Sequence, residues 1–409
     1  ADQLHLELIH TTEELQRLLV TAGELPGSAK TNLERWEKIC VRSGRTLAER
    51  QLRVAAIGAI KSGKSTLVNA LLGGDYLRRG AGVVTSIVTR VRRGEALKAQ
   101  LFFKSWKTIN NEIRQALVLF PDGNDGELNT AEFDLRQEKH RESLARGLAN
   151  LSDDQLMCTD MRDPNSVLLT AYLKGFPSAA PLIDDQERQQ AYTGEQFQQH
   201  QGFVGDDALS VYLQDIQLEI PATAWDEQVE IADCQGSDSP NPHHLAMIQD
   251  YLISAHLMIY VVSSRTGLRQ ADMKFLSMLK KMDSMSNILF AMNCDLSEHE
   301  NLADLMRVVE RTREELQPIT ANPEIFSFSA LYHLFNLPDA ELNAKAQGRL
   351  SAWRADPEMT AFADAQHEAF IQRLQHKLKF ERFSVQAGAH LGRLDLSLIH
   401  ISEPTRPTT

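Results

Sequence analysis

The chain has 409 residues, of which 43% are hydrophobic and 24% are charged, and its formal net charge is −12 at pH 7. Such a length predicts a domain of about two hundred residues or more with appended pieces, and no window approaches about eighteen uninterrupted apolar residues, so no transmembrane helix is predicted. The negative charge argues against a broad surface that binds nucleic acid, because such a surface needs concentrated Lys and Arg to contact the phosphates. Nucleic acid is therefore not an expected partner.

Residues 1–49 carry two helical patterns. Thr11 and Glu14 have the spacing of a capping box, so the first helix is predicted to begin at Thr11, and Pro26-Gly27 ends it. The second helix is amphipathic, with an apolar face formed by Leu33, Trp36, Ile39 and Cys40. Both helices precede the first predicted strand and are expected to lie outside its sheet.

A glycine-rich segment follows that first strand, which is predicted at 52–57. The segment Gly58-Ala59-Ile60-Lys61-Ser62-Gly63-Lys64-Ser65 fits the pattern G-x-x-x-x-G-K-[ST] and leads into an apolar helix at 65–72. In such a loop, backbone N–H groups cradle phosphates, the lysine reaches the β- and γ-phosphates, and the hydroxyl binds Mg²⁺. The candidate nucleotide-binding residues are Gly58, Ser62, Gly63, Lys64, Ser65 and Thr66. The alternative is a glycine-rich turn between two unrelated elements.

Strands and helices alternate through much of the remaining chain. Strands are predicted at 87–91, 99–103, 211–220, 229–232, 257–262, 288–292 and 325–328. Helix-length segments or turns separate them, and this alternation predicts an α/β fold with a doubly wound, mainly parallel sheet. The polar, Gln-rich and mostly helical stretch at about 105–205 is interpreted as a helical insertion between core elements.

The region 336–395 is predicted to be helical. It contains one apolar stripe, formed by Phe370, Ile371, Leu374 and Leu378. Such a stripe must pack on a partner, and we expect that partner to be the two N-terminal helices. The last residues, 396–409, resemble a translated adapter sequence, so we expect a non-native tail there and a natural protein that continues beyond about position 395.

Two further segments extend the chemistry of the glycine-rich loop. Asp233 and Gly236 fit D-x-x-G directly after the strand at 229–232, where an aspartate can hold Mg²⁺ through water and the glycine N–H can contact the γ-phosphate. Thr85 lies in a loop of small residues, where its hydroxyl would complete the Mg²⁺ shell and its carbonyl would position the attacking water. An ordinary helix-leading turn and a surface threonine are the alternatives.

The segment Met292-Asn293-Cys294-Asp295 lies at the end of the strand at 288–292, where a guanine-reading loop would show [NT]-K-x-D. Asp295 can accept hydrogen bonds from the N1 and N2 donors of guanine. Asn293 stands at the usual Lys position and Met292 at the usual Asn or Thr position. Asn293 and Asp295 are added to the candidate nucleotide-binding residues. The pattern therefore favours GTP and leaves an ATPase of the same fold as an alternative.

A family resemblance is carried by Lys61-Ser62-Gly63-Lys64-Ser65 with Gly74-Asp75-Tyr76-Leu77-Arg78-Arg79-Gly80-Ala81-Gly82-Val83-Val84-Thr85. These residues resemble the phosphate loop and first switch of the dynamin superfamily, specifically its bacterial members. The resemblance covers about residues 50–335 and implies a GTPase domain that hydrolyses GTP to GDP and phosphate with Mg²⁺. It also implies that helices at 1–49 and 336–395 form a neck bundle and that a long stalk is missing.

The same resemblance implies partners and a location. Dynamins pair face to face through their nucleotide sites, so a homodimer is expected, whereas membrane remodelling and lipid contact would depend on the missing stalk.

The cysteines are Cys40, Cys158, Cys234 and Cys294. They form no Cys-x-x-Cys pair and favour neither a zinc site nor a disulfide framework. We therefore expect a cytoplasmic protein, with peripheral attachment to a membrane as a further implication of the family.

One departure from the family pattern concerns catalysis. Ile60-Lys61 replaces the Gln-Ser pair with which dynamins orient water and bind a monovalent cation. A lysine ammonium there could neutralise charge that develops between the β- and γ-phosphates, and the related guanylate-binding proteins have an arginine finger in the same loop position. Lys61 is therefore predicted to be an internal finger, with a solvent-facing lysine as the alternative. The candidate catalytic residues are Lys61, Lys64, Thr85 and Gly236.

Two other interpretations follow from the same comparison. The absence of the water-orienting glutamine leaves open a scaffold that binds GTP and assembles with negligible hydrolysis. The segment after the strand at 257–262 resembles the loop through which dynamin family members touch a partner's nucleotide site. In it, Arg265, Arg269 and Asp272 are candidates for contacts in trans, and a helix-leading surface loop is the alternative.

Overall fold

The computed structural model describes a defined part of the chain. It covers residues 2–23, 33, 36–37, 40–41, 51–79, 87–118, 132–149, 157–158, 161–221, 225–226, 228–234, 236, 251–252, 254–281, 287–338 and 340–381. Thr85, Ile39 and the tail at 396–409 lie outside the described residues. Within the described ranges, no helix combines the length and the apolar character needed to cross a membrane.

The described strands are numbered in chain order. They are β1 (Leu52–Gly58), β2 (Thr89–Arg93), β3 (Lys98–Phe103), β4 (Met157–Cys158), β5 (Met161–Arg162), β6 (Arg188–Thr193), β7 (Leu213–Ile220), β8 (Val229–Asp233), β9 (Leu257–Ser263), β10 (Ile288–Asn293) and β11 (Ile325–Phe328). The main sheet has the order β11-β10-β9-β1-β8-β2-β7-β3-β6, and β4 pairs with β5 separately. The predicted α/β fold with a mainly parallel sheet is confirmed.

The described helices are also numbered in chain order. They are α1 (Asp2–Gly23), α2 (Lys64–Leu72), α3 (Trp106–Val118), α4 (Glu138–Ala149), α5 (Pro164–Ala179), α6 (His200–Val204), α7 (Asp207–Ser210), α8 (Gln270–Lys281), α9 (Leu302–Leu316), α10 (Ala330–Phe335), α11 (Ala344–Arg354) and α12 (Pro357–Lys379). The predicted start of the first helix at Thr11 is wrong. The Thr11 hydroxyl donates a hydrogen bond to the Glu7 carbonyl at 2.8 Å, one turn earlier in α1, which is the bond of a threonine inside a helix.

The centre of the sheet places four strand ends at one edge. β1 pairs in parallel with β8 on one side and β9 on the other, and β9 pairs in parallel with β10. Parallel strands bring their carboxyl ends to the same edge, where ligands bind in open α/β sheets. The residues that end these strands are Gly58, Asp233, Ser263 and Asn293.

The other half of the sheet is mixed. β2 is antiparallel to β8 and parallel to β7, and β3 is antiparallel to both β7 and β6. Within the predicted insertion, α3, α4 and α5 agree with its helical pattern. The Gln-rich tract differs, because its residues Arg188–Thr193 form β6 and extend the main sheet at its edge. Pairing with β3 satisfies the backbone N–H and C=O groups of this tract that face β3.

The C-terminal helix α12 packs on the sheet. Phe370 is fully buried, and its ring centroid lies 5.6 Å from that of Phe326 and 5.2 Å from that of Phe328, both in β11. Arg373 adds an ion pair to Glu324 at 2.6 Å. Phe370 of the predicted stripe therefore packs on the edge of the sheet, and the placement of the two N-terminal helices against the rest of the stripe stays a prediction.

The packing of α12 gives a stability prediction. We expect Phe370→Ala to lower the free energy of unfolding by about 3–5 kcal/mol, because it removes a fully buried ring and leaves a cavity. The matched control is Phe380→Ala, since Phe380 is 80% exposed and its loss should change stability by about 0.5 kcal/mol or less. Urea unfolding of both variants measures the difference. Equally small effects of the two substitutions would contradict the placement of α12 in the core.

Candidate functional site

The glycine-rich loop joins β1 to α2 at the carboxyl edge of the sheet. Gly58 and Gly63 have φ values of 145° and 95°, which side chains rarely adopt. A Cβ atom at Gly58 would lie 2.3 Å from the Val261 carbonyl oxygen, and one at Gly63 would lie 2.0 Å from Nδ2 of Asn293. The loop therefore needs glycine at both positions, for conformation and for space.

Lys64 folds back over this loop. Its side chain is buried, and Nζ donates hydrogen bonds to the carbonyl oxygens of Gly58 at 3.1 Å and Ala59 at 2.8 Å. The Ser62 hydroxyl is also buried and has no hydrogen-bond partner within the part of the chain that the structure describes. An ammonium and a hydroxyl held at a strained glycine loop make a polar cradle of the kind that binds phosphate.

Asp233 ends β8 beside the loop. Ala56 of β1 is its partner in the parallel register, its carboxylate accepts a hydrogen bond from the Ser65 side chain, and it lies near the Lys64 charge. Burial raises the pKa of Asp233, and the Lys64 charge and the Ser65 hydrogen bond only partly oppose that rise. A cation would favour the ionised carboxylate in such a site.

The donor set at this position fits magnesium. The Ser65 hydroxyl and the Asp233 carboxylate supply oxygen atoms, and Mg²⁺ is usually held by one or two protein oxygens together with water and substrate phosphates. Gly236, the last residue of the D-x-x-G segment, is buried, and Thr66 lies in the first turn of α2. The structure thus brings Ser65 and Asp233 together as predicted, while Thr85 lies outside the described residues.

Asn293 connects two loops at the end of β10. Its Nδ2 donates a hydrogen bond to the Ser62 carbonyl at 3.0 Å, and its Oδ1 accepts one from the Ala330 N–H at 3.0 Å. The amide therefore fixes the phosphate loop against the start of α10. The sequence pattern placed Asn293 at the usual lysine position, as a candidate nucleotide-binding residue, and did not predict this bridging role.

Asp295 lies two residues beyond Asn293. It is the N-cap of a short 3₁₀ turn, Leu296–Glu298, and its Oδ1 accepts a hydrogen bond from the Ser297 N–H at 3.1 Å. Its Oδ2 forms an ion pair with Arg349 of α11. Burial raises the pKa of the neighbouring Cys294 thiol to about 12, so the thiol stays protonated at neutral pH.

The sequence did not predict the role of Asn69. This fully buried side chain accepts hydrogen bonds from the N–H groups of Tyr76 at 3.1 Å and Leu77 at 2.8 Å, and it donates to Asp75 at 2.7 Å. It fixes the segment that leads towards Thr85. The available signal was a polar residue within the otherwise apolar pattern of α2.

Lys61 has an unusual backbone for a residue with a side chain. Within the part of the chain that the structure describes, Lys61 is the one non-glycine residue with a positive φ, 64°. Such a conformation costs on the order of 1–2 kcal/mol. The side chain is exposed. Both the internal finger and the solvent-facing lysine fit this geometry, so the role of Lys61 stays a prediction.

The residues of the loop after β9 that were predicted to contact a partner differ in their exposure to solvent. Arg265 is 71% exposed and pairs with Glu298. Asp272 is buried, accepts a hydrogen bond from the Tyr260 hydroxyl at 2.7 Å and receives the Arg269 N–H at 2.9 Å. The prediction that Asp272 contacts a partner is therefore wrong, because its carboxylate holds the start of α8.

The close approach of Gly63 to Asn293 gives a second prediction. Gly63→Ala should lower both stability and affinity for a magnesium–nucleotide complex, the latter by roughly tenfold or more, because the new methyl group would displace Asn293 from the loop. Gly73→Ala is the matched control, since Gly73 also has a positive φ, 74°, but nothing lies within 4 Å of an added Cβ. Denaturant unfolding and titration with a fluorescent nucleotide measure the two effects. Equal losses of stability and of affinity in both variants would show that backbone strain, and not the contact with Asn293, causes them.

Comparison with known proteins gives the family. A family model described as the dynamin family matches residues 54–293, which is more than half of the chain. Dynamin-like protein A of Bacillus subtilis (strain 168) is 20% identical over 309 residues, which cover 73% of this chain and 24% of that protein. The isoniazid-induced protein IniC of Mycobacterium tuberculosis is 38% identical over 86 residues, which cover 20% of this chain and 17% of IniC.

Solved structures of bacterial dynamins are similar at a lower sequence identity. One comes from an oligomerised bacterial dynamin pair described as a mechanism for long-range sensing and tethering of membranes, with 16% identity, a TM-score of 0.49, and coverage of 98% of this chain and 56% of that one. Another is the LeoA bacterial dynamin GTPase from ETEC, with 11% identity, a TM-score of 0.35, and coverage of 98% and 47%. The chain spans about a quarter or less of the length of the curated relatives that it matches. By the match at 54–293, the chain belongs to the dynamin family.

Proposed function

We propose that this protein is a dynamin-type GTPase that binds GTP with Mg²⁺ and hydrolyses it to GDP and phosphate. The observation that carries the proposal is the grouping of Lys64, Ser65 and Asp233 at the carboxyl ends of β1 and β8. A phosphate-binding lysine beside two oxygen ligands for magnesium is a combination that recurs in proteins that catalyse phosphoryl transfer. Membership of the dynamin family supports the same assignment.

Each candidate residue receives a role in this proposal. Lys64 and the loop amides of Gly58, Ser62 and Gly63 bind the phosphates, and Ser65 and Thr85 hold the metal, which Asp233 supports. When bound, Mg²⁺ would neutralise charge on the β- and γ-phosphates. The N–H of Gly236 contacts the γ-phosphate, and the Thr85 carbonyl positions water. Lys61 stabilises the charge that develops in the transition state, Asn293 holds the base loop, and Asp295 reads guanine.

Assembly and movement are further parts of the proposal. Two copies would pair through the nucleotide face, which orders the loops of Thr85 and Asp233, and hydrolysis would move the helices at 1–49 and 336–395 against the domain. Arg265 is a suitable contact residue for this pairing, because it is largely exposed in the loop after β9, at the same edge of the sheet as the phosphate loop. We place the protein in the cytoplasm, with peripheral contact to a membrane as a further part of the proposal.

Two other functions have specific observations in their favour. Ile60 in place of a water-orienting glutamine favours a nucleotide-gated scaffold with negligible hydrolysis. Met292 is fully buried, and the Asn293 amide is engaged with Ser62 and Ala330, so the usual polar contacts to guanine are reduced and an ATPase remains an alternative. Competition between ATP and GTP for the site decides the second alternative.

Two lysine variants test the catalytic proposal. Lys64→Ala should abolish both nucleotide binding and hydrolysis, because Nζ is the ammonium inside the loop. Lys61→Ala should reduce kcat by about 10²–10³-fold with less than a twofold change in GTP affinity, as expected for a group that acts only in the transition state. Lys61→Arg should retain part of the rate.

Single-turnover hydrolysis and equilibrium GTP binding measure these effects separately. Hydrolysis near the wild-type rate in Lys64→Ala would end the assignment of the phosphate loop. Equal losses of binding and turnover in Lys61→Ala would remove Lys61 from the list of catalytic residues and leave the loop assignment intact.

A further inference from the structure

Helix α11 lies outside the part of the chain that matches the dynamin family model, yet it packs on the loop that follows β10. Leu350 and Trp353 of α11 share a hydrophobic cluster with Met292, Cys294 and Leu296. A helix with this placement can influence the residues of the base loop. The question is which polar contacts it makes there.

Two side chains of α11 contact the surroundings of Asp295. Arg349 and Trp353 are four residues apart and therefore lie on the same face of the helix. The Arg349 guanidinium forms an ion pair with Oδ2 of Asp295 and lies 4.8 Å from the centroid of the Trp353 ring. The planar guanidinium is thus held between a carboxylate and an aromatic face, which restricts its conformations.

Trp353 acts on the other carboxylate oxygen through Ser297. Its indole Nε1 donates a hydrogen bond to the Ser297 hydroxyl at 2.7 Å. The Ser297 N–H in turn donates to Oδ1 of Asp295 at 3.1 Å. One residue of α11 therefore contacts Oδ2 directly, and the other fixes the residue that contacts Oδ1.

The number of these contacts suits recognition of guanine. An ionised carboxylate offers about four lone-pair sites, two on each oxygen. Ser297 uses one site on Oδ1 and Arg349 uses one on Oδ2, so among the residues that the structure describes one site remains on each oxygen. The N1–H and the exocyclic 2-amino group of guanine need one acceptor each, side by side.

We propose that Arg349 and Trp353 are positioning residues that orient the Asp295 carboxylate for guanine, a role that rests on the proposed GTP function. Met292 is fully buried and the Asn293 amide is engaged elsewhere, so neither residue of the base loop supplies this orientation. The discrimination for the 2-amino group then depends on a contact between residues far apart in the sequence.

Binding of GDP, IDP and ADP to the full chain tests this role, because IDP differs from GDP only by the missing 2-amino group. We expect the wild type to prefer GDP. Arg349→Ala should weaken GDP binding by about tenfold, the size of one charged hydrogen bond, and bring the GDP-to-IDP affinity ratio close to one. Arg349→Lys should restore part of the ratio.

Two further variants separate positioning from general damage to the fold. Trp353→Phe keeps an aromatic ring for packing and removes the N–H, so it should lower the GDP-to-IDP ratio by a smaller factor in the same direction. Arg354→Ala is the control, because Arg354 lies on the same helix but bonds to Asn336, and it should leave the ratio unchanged.

The outcomes are distinguishable from a failure of the proposed function. Tighter GDP binding in Arg349→Ala would show that Arg349 competes with the base, and an unchanged GDP-to-IDP ratio would show that it has no part in recognition; either result overturns the positioning role alone. A wild type that binds ADP as well as GDP would overturn the proposed GTP function, and the positioning role with it.

Discussion

The parallel pairing of β1 with β8 and β9 is the constraint on which the rest of the site depends. It puts the ends of three buried strands at one edge, so that the phosphate loop, Asp233 and the loop after β9 become neighbours. The glycines at 58 and 63 then allow the backbone to pass closer to Val261 and Asn293 than any side chain permits. Without this pairing, Lys64 and Asp233 would not lie at the same edge of the sheet.

A continuous set of contacts leads from the site to the C-terminal helices. Asn293 joins the phosphate loop to α10, and Asp295 contacts α11. Helix α12 in turn packs on β11, the neighbour of β10, through Phe370 and Arg373. These packed and hydrogen-bonded groups connect the nucleotide loops to α11 and α12 and offer a route for the proposed coupling of hydrolysis to helix movement.

The sequence was sufficient where a local pattern specifies local structure. The strand at Ile325–Phe328 was predicted with the bounds that the structure shows, the strand before the phosphate loop and the helix after it were predicted to within one residue, and Asp233 was placed at the end of its strand. Buried β-branched runs and glycine at fixed spacing carry that information without knowledge of distant residues.

The rest depended on contacts between residues far apart in the chain. No periodicity distinguishes the antiparallel pairing of β2 with β8 from a parallel one, and the polar tract of β6 has no strand pattern of its own. The partner of Phe370, the two bonds of the Asn293 amide and the pairing of Asp295 with Arg349 likewise appear only once the chain is folded. The capping-box spacing at Thr11 was misleading, because the same residues also occur inside helices.

The most direct test of the central claim is release of phosphate from GTP by the wild-type chain with Mg²⁺, measured over a range of protein concentrations beside Lys64→Ala. A GTPase activated by pairing should release phosphate at a rate per molecule that rises with concentration, while the variant stays inactive. Release no faster than that of Lys64→Ala at every concentration would contradict the proposed hydrolysis and favour the scaffold.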